Sequence, residues 1–208
     1  MKTGGPVPRF VLMLSVLLLM SCLLPGMIPL NQEATAEATE PAASAEPEAS
    51  AAPDASMPTM EKDAEVVIEA LKANEFVYLQ ALAEEQYTEE DYAKPGTLTF
   101  TVKITDDKPI FFDYGWCTTT EEILQQNFEH IRVALYFNGT LLGRDVVHPI
   151  SYTRPDNFVC LDFGALLSDW APGEYKLKAM ATFDEKINDG AADFEAGEYI
   201  FEYNVTVE

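Results

Sequence analysis

At Pro95-Gly96 the spacing of apolar residues changes from about 3.6 to 2, and that change constrains the fold more than composition does. Before it, Val67, Leu71, Tyr78, Leu79 and Leu82 fall on one helical stripe, widened by Ile68 and Phe76, with good helix formers between them. The pattern predicts a helix over 63–85. Thr88 to Asp91 adds a second capping signal before Pro95-Gly96 ends the helical segment. After it, Leu98, Phe100, Val102 and Ile104 alternate with Thr97, Thr99, Thr101 and Lys103, the mark of a strand with one buried face.

The alternation returns along the rest of the chain. Asp106-Asp107-Lys108-Pro109 reads as a turn into a strand at Ile110–Trp116. Thr118 to Phe128 breaks the pattern, and Thr119 with Glu122 three residues later predicts a capping box and a short helix. Strands Ile131–Phe137 and Leu141–Val147 flank Asn138-Gly139, the strongest short-range hairpin signal. Arg154-Pro155-Asp156-Asn157 is a turn before a strand at Phe158–Phe163, and Ala165–Trp170 fits one helical turn. Two more alternating runs follow, Tyr175–Phe183 and Tyr199–Val207. Seven candidate strands in about 112 residues predict a mainly β domain at 96–208, an antiparallel sandwich, preceded by a helical segment at 61–95.

Trp170-Ala171-Pro172-Gly173-Glu174-Tyr175-Lys176-Leu177 resembles the turn into the sixth strand of immunoglobulin-like and fibronectin-type domains. That resemblance implies a seven-stranded immunoglobulin-like sandwich, with the Tyr175 hydroxyl bonded to the preceding backbone. In that strand order Cys117 ends the second strand and Cys160 lies on the fifth, neighbours in one sheet. A Cys117–Cys160 disulfide is then conceivable; two buried free thiols are the alternative.

The N-terminus tells where the domain works. Lys2 and Arg9 precede an apolar run from Phe10 to Leu19, the layout of a secretory signal. Leu19-Met20-Ser21-Cys22 resembles the lipobox of bacterial lipoproteins, which implies a signal peptide at 1–21, cleavage before Cys22 and a lipid on its thiol. Two alternatives stay open: a cut after Ala34-Thr35-Ala36 with secretion, or retention of Phe10–Leu30 as a signal anchor, its 21 residues being close to the ~20 that span a bilayer. Each puts the rest of the chain outside the cytoplasm. Residues 22–60 read as a linker, because Asn31 to Met60 is built from Ala, Glu, Pro, Ser and Thr without an aromatic and cannot bury enough surface to order itself.

Charge narrows the partners. Residues 61–208 hold 29 Asp and Glu against 11 Lys and Arg, a net of −18. Nucleic acid, whose affinity comes from phosphate neutralisation, is excluded as a partner. The acidic loop Asp184–Glu198 offers oxygen ligands for calcium at Asp184, Glu185, Asp189, Asp193 and Glu195. The EF-hand template fails there, since aligning Gly190 puts Ile187 and Ala196 at ligand positions, so the loop is read as solvated and no metal is assigned. Tyr114, Trp116, Tyr152 and Trp170 are candidates for a sugar-stacking platform, against the ordinary reading of aromatics at strand spacing as core.

Catalytic signatures are missing: the chain has no GxSxG, HExxH or phosphate-binding glycine loop. His148, Ser151 and Asp145 have the residue types of a triad but lie too close in sequence for its geometry. No cofactor is called for. The expectation is a non-enzymatic, lipid-anchored module on the extracytoplasmic face of a bacterial envelope, meeting an unknown protein or glycan. A carbohydrate-binding module using Trp116 and Trp170, or a calcium-dependent adhesive domain, are the alternatives.

Overall fold

Alternation of period 2 needs a second layer to bury its apolar face, and the chain supplies one by building two sheets. A computed structural model of the protein describes residues 56–105 and 107–208. The expected signal segment 1–21, Cys22, the Ala36 cleavage site, most of the expected linker and Asp106 of the expected turn lie outside the described residues. The protein is mainly β.

In chain order the elements are β1 (Thr59–Met60), α1 (Ala64–Ala73), β2 (Val77–Tyr78), a 3₁₀ turn (Leu79–Leu82), α2 (Glu89–Tyr92), β3 (Gly96–Ile104) and β4 (Ile110–Thr118). There follow α3 (Glu121–His130), β5 (Ile131–Phe137), β6 (Thr140–Leu141), β7 (His148–Thr153), β8 (Val159–Ser168), β9 (Gly173–Phe183), β10 (Ile187–Asn188), β11 (Asp193–Phe194) and β12 (Gly197–Val207). The first sheet runs β1-β8-β4-β2 with β7 also on β8; the second runs β3-β12-β9-β5-β6; β10 and β11 form a small ribbon. Pairing is antiparallel except β3 with β12 and β2 with β4. Phe112, Tyr114 and Trp116 of the first sheet meet Tyr203, Phe201 and Phe183 of the second in one core, at ring-centroid distances of 6.1, 5.9 and 5.2 Å.

Five local expectations are corrected. The helix ends at Asn74, which takes a left-handed φ of 56° and closes the helix by donating its N–H to the Ala70 and Leu71 carbonyls. The apolar residues beyond it serve other layers: Leu79 enters the core, while Phe76 and Tyr78 stack edge-on against Phe111. Asn138-Gly139 does make the turn, with φ of 46° and 80°, but only Thr140–Leu141 pairs back. A bend at Gly143, whose carbonyl accepts from Val146 and Val147, then sends the chain to the other sheet as β7.

Ala165–Trp170 is not helical. β8 continues to Ser168 because Ala165, Leu166 and Leu167 are buried on both faces of their sheet, which makes a continuous apolar run a strand. The cap of α3 is Thr120, not Thr119: its hydroxyl accepts from Ile123 N at 3.3 Å. At the linker's end, Pro58 is buried and Thr59–Met60 pair with Ser168 and Leu167, so the ordered fold begins before residue 61. Among the described residues no helix is long and apolar enough to cross a membrane.

Candidate functional site

Two strands of the first sheet each interrupt an apolar run with an Asp-aromatic-Gly triplet: Asp113-Tyr114-Gly115 on β4 and Asp162-Phe163-Gly164 on β8. The antiparallel register sets Asp113 opposite Gly164 and Gly115 opposite Asp162. With period 2, both aspartates and both glycines fall on the face turned away from the second sheet. A Cβ on Gly115 would overlap the Asp162 carboxylate, and one on Gly164 would overlap the Phe111 ring. The glycines therefore make the room in which these side chains lie. Cys117 and Cys160, one alternation further along, are opposite each other and joined, with sulfurs 2.03 Å apart and Cα atoms 4.1 Å apart.

Helix α1 closes one side of this face, with Val67 packed against Phe111 and Leu166. Tyr78 on β2 and Tyr152 on β7 flank the aspartates, each 40% exposed. The Tyr152 hydroxyl hydrogen-bonds Asp162. Among the described residues no cation answers the two carboxylates. Burial pushes the Asp113 carboxyl up to about 8, with the neighbouring Asp162 charge adding to it, and burial pushes Asp162 up to about 6. Tyr152 and Tyr78 are raised by burial first and by the Asp162 charge second. The arrangement holds a proton on the pair at neutral pH, as two neighbouring carboxylates titrating together do.

A second feature lies at the end of α3. A polar cleft of about 430 Å³ is lined by Gln126, Asn127, His130, Glu185, Lys186 and Asn188. Asn127 donates to the Asn188 carbonyl at 3.0 Å, tying the helix to the β10 ribbon. His130 sits between two carboxylates, Nδ1 2.9 Å from Asp184 and Nε2 3.4 Å from Glu185.

The residues singled out in the sequence go elsewhere. Trp116 is 7% exposed, inside the core against Phe183 and Phe194, and Trp170 packs on Phe137 and Tyr175. Among the described residues neither of the two buried indole N–H groups has a partner. Tyr114 is also in the core while Tyr152 is on the opposite face of its sheet, so no stacking platform forms; strand alternation turned the rings inward. The acidic loop is not a cage either. Asp184 faces His130, Asp189 accepts from Ala191 N and Ala192 N at 2.7 Å, and Asp193 pairs with Lys186 and Asn188. No group of three acidic, His or Cys side chains suited to a metal occurs among the described residues.

His148 is buried with Nε2 3.2 Å from the Glu61 carbonyl, Asp145 pairs with Lys62, and Ser151 is exposed, so these three do not assemble. Tyr175 does turn its hydroxyl onto the Ala171 carbonyl, at 2.7 Å. The aspartate pair is the feature that sequence reasoning passes over. The repeated Asp-x-Gly in two apolar strands was the available signal.

No protein-family model matches the chain. No curated protein matches it either. Among solved structures, that of PbICP-C in complex with falcipain-2 is similar at 10% identity with a TM-score of 0.35, the match covering 64% of this chain and 99% of that one.

Proposed function

We propose that the protein is a lipid-anchored, extracytoplasmic interaction module with an immunoglobulin-like sandwich, acting by binding a protein or glycan and not by catalysis. The sheet order supports the architecture. Taking β4, β5, β7, β8, β9 and β12 as B, C, D, E, F and G gives B-E-D in one sheet and C-F-G in the other, the immunoglobulin arrangement. The Tyr175–Ala171 bond at the start of β9 is the corner such domains carry before strand F.

The compartment rests on one observation above the others, the Cys117–Cys160 bridge. Disulfides persist in oxidising surroundings, and a chain opening on a secretory pattern that resembles a lipobox is headed for them. The Cys22→Ala variant tests the anchor in cells: the protein should move from the membrane to the soluble fraction, while unreduced protein keeps no alkylatable thiol at 117 or 160. Unchanged membrane retention overturns lipid anchoring in favour of a retained signal anchor. Two free thiols in unfolded, unreduced protein overturn the compartment.

A further inference from the structure

The cleft of about 430 Å³ at the end of α3 is lined by hydrogen-bond acceptors that lack donors. Ile123, Gln126, Asn127 and His130 turn one helical stripe towards it, and Glu185 to Asn188 form the other wall. Asn127 is the buried member, 6% exposed; its Nδ2 donates to the Asn188 carbonyl at 3.0 Å, and its Oδ1 accepts from nothing among the described residues. A buried amide oxygen left without a donor carries a free-energy cost that an entering donor would remove. The Gln126 side-chain amide is exposed and has no partner among the described residues either.

The charges around the cleft settle the sign of what fits. His130 Nδ1 is 2.9 Å from Asp184, and Lys186 Nζ reaches Asp193 at 3.2 Å and Glu195 at 3.1 Å. Arg132 Nη1 donates to the Glu129 and Ile131 carbonyls, closing the helix end. Glu185 meets only His130 Nε2, at 3.4 Å through Oε1, which leaves its other oxygen to the cleft. Even with His130 protonated, the three cations Arg132, His130 and Lys186 stand against five carboxylates: Glu129, Asp184, Glu185, Asp193 and Glu195. The C-terminal end of α3 adds the negative pole of its dipole. An anion is disfavoured here and a cation is drawn in.

An ammonium group answers these acceptors donor for acceptor, since it carries three N–H donors and no acceptor. Calcium would need six or more oxygens, and no group of three acidic, His or Cys side chains suited to a metal occurs among the described residues. Ile123 and Ile187 line the same cleft and offer an apolar wall to a carbon chain. We propose that this cleft binds the primary ammonium group of an organic amine, held by Gln126 Oε1, Asn127 Oδ1 and the Glu185 carboxylate, with Glu129 at the rim. The site depends neither on the lipid anchor nor on the disulfide, so its failure would leave the proposed role untouched.

Titrating the full chain with the diamine putrescine at fixed ionic strength, followed by amide NMR, tests it. Saturable shifts should gather at Gln126, Asn127, Glu185 and Asn188. Tetramethylammonium, which has the charge without the N–H donors, should bind about tenfold more weakly. Gln126 and Glu185 are exposed, so Gln126→Ala and Glu185→Gln should fold, and each should weaken putrescine by about threefold or more. A blocked Gly-Lys-Gly peptide separates the sources: binding tighter than putrescine assigns the site to the lysine of a protein, weaker binding to a free amine. No saturable shift, equal affinity for tetramethylammonium, shifts spread over the whole acidic surface, or variants that bind putrescine as the parent does would each overturn the site.

Discussion

The two outer faces of this protein carry charge in opposite ways. On the first sheet, Asp113 and Asp162 sit in a depression shaped by Gly115 and Gly164, beside the α1 helix and the fully packed Phe111 ring. Their carboxylates are desolvated without a counter-cation among the described residues, and both are pushed up. On the second sheet, Lys176 is exposed, and Lys178 rests on the Tyr136 ring with no carboxylate pairing its ammonium among the described residues. A charge taken from water must find a partner or change its protonation; one left in water can wait for a partner. One outer face is built as a second, smaller core, and the other is left as a surface.

That contrast breaks first at Phe111. Its ring is 1% exposed, fills the space left by Gly164, and packs beneath Val67 of α1. Phe111→Ala should cost about 3–5 kcal/mol in denaturant unfolding, the range for a buried aromatic that leaves a cavity. A loss below about 1 kcal/mol would show that the first sheet's outer face is no core, and that α1 does not seal it.

How much of this was legible in the sequence follows the same division. Period-2 runs announce strands whose one face is buried, so β3, β5, β9 and β12 were readable from Leu98, Ile131, Tyr175 and Tyr199 onward. β8 was cut short because Ala165-Leu166-Leu167 is apolar on both faces, and only the α1 cover makes that a strand. The helix was overextended since Leu79 and Leu82 keep helical spacing by coincidence while serving the core between the sheets. Strand spacing could not say which way Trp116 points; strand pairing did. The aspartate pair needed register, which sets each Asp against the other strand's Gly and which no local pattern contains.

The second test is of middle size and concerns sign. Asp113 and Asp162 have folded values of about 8 and about 6, above the unfolded carboxylate value near 3.9. Between those values the folded state binds more protons than the unfolded one, so stability falls as pH rises from about 4 to about 8. Thermal melts should therefore rise on going from pH 8.5 to 5.5. Asp113→Asn should flatten that trend and stabilise the domain at pH 8 by about 1–2 kcal/mol, roughly 3–6 °C. A melt profile flat in the parent protein, or one falling on acidification over this range, would mean that the pair is solvated and that the contrast between the faces is false.

The smallest effect belongs to the other face. Lys176 is exposed on β9, it donates its backbone N–H to Asn138 Oδ1 at 2.8 Å, and its ammonium has no carboxylate partner among the described residues. Lys176→Gln keeps the backbone bond and the aliphatic stem and removes only the charge, so unfolding free energy should move by less than about 0.5 kcal/mol. The direction is informative as well as the size. The domain is strongly acidic, and Glu174 and Glu202 share this outer face, so losing the cation favours a slight loss at low salt that should vanish as salt screens the charges. A loss of 1 kcal/mol or more would mean that the lysine holds the fold together, making the second face as structural as the first.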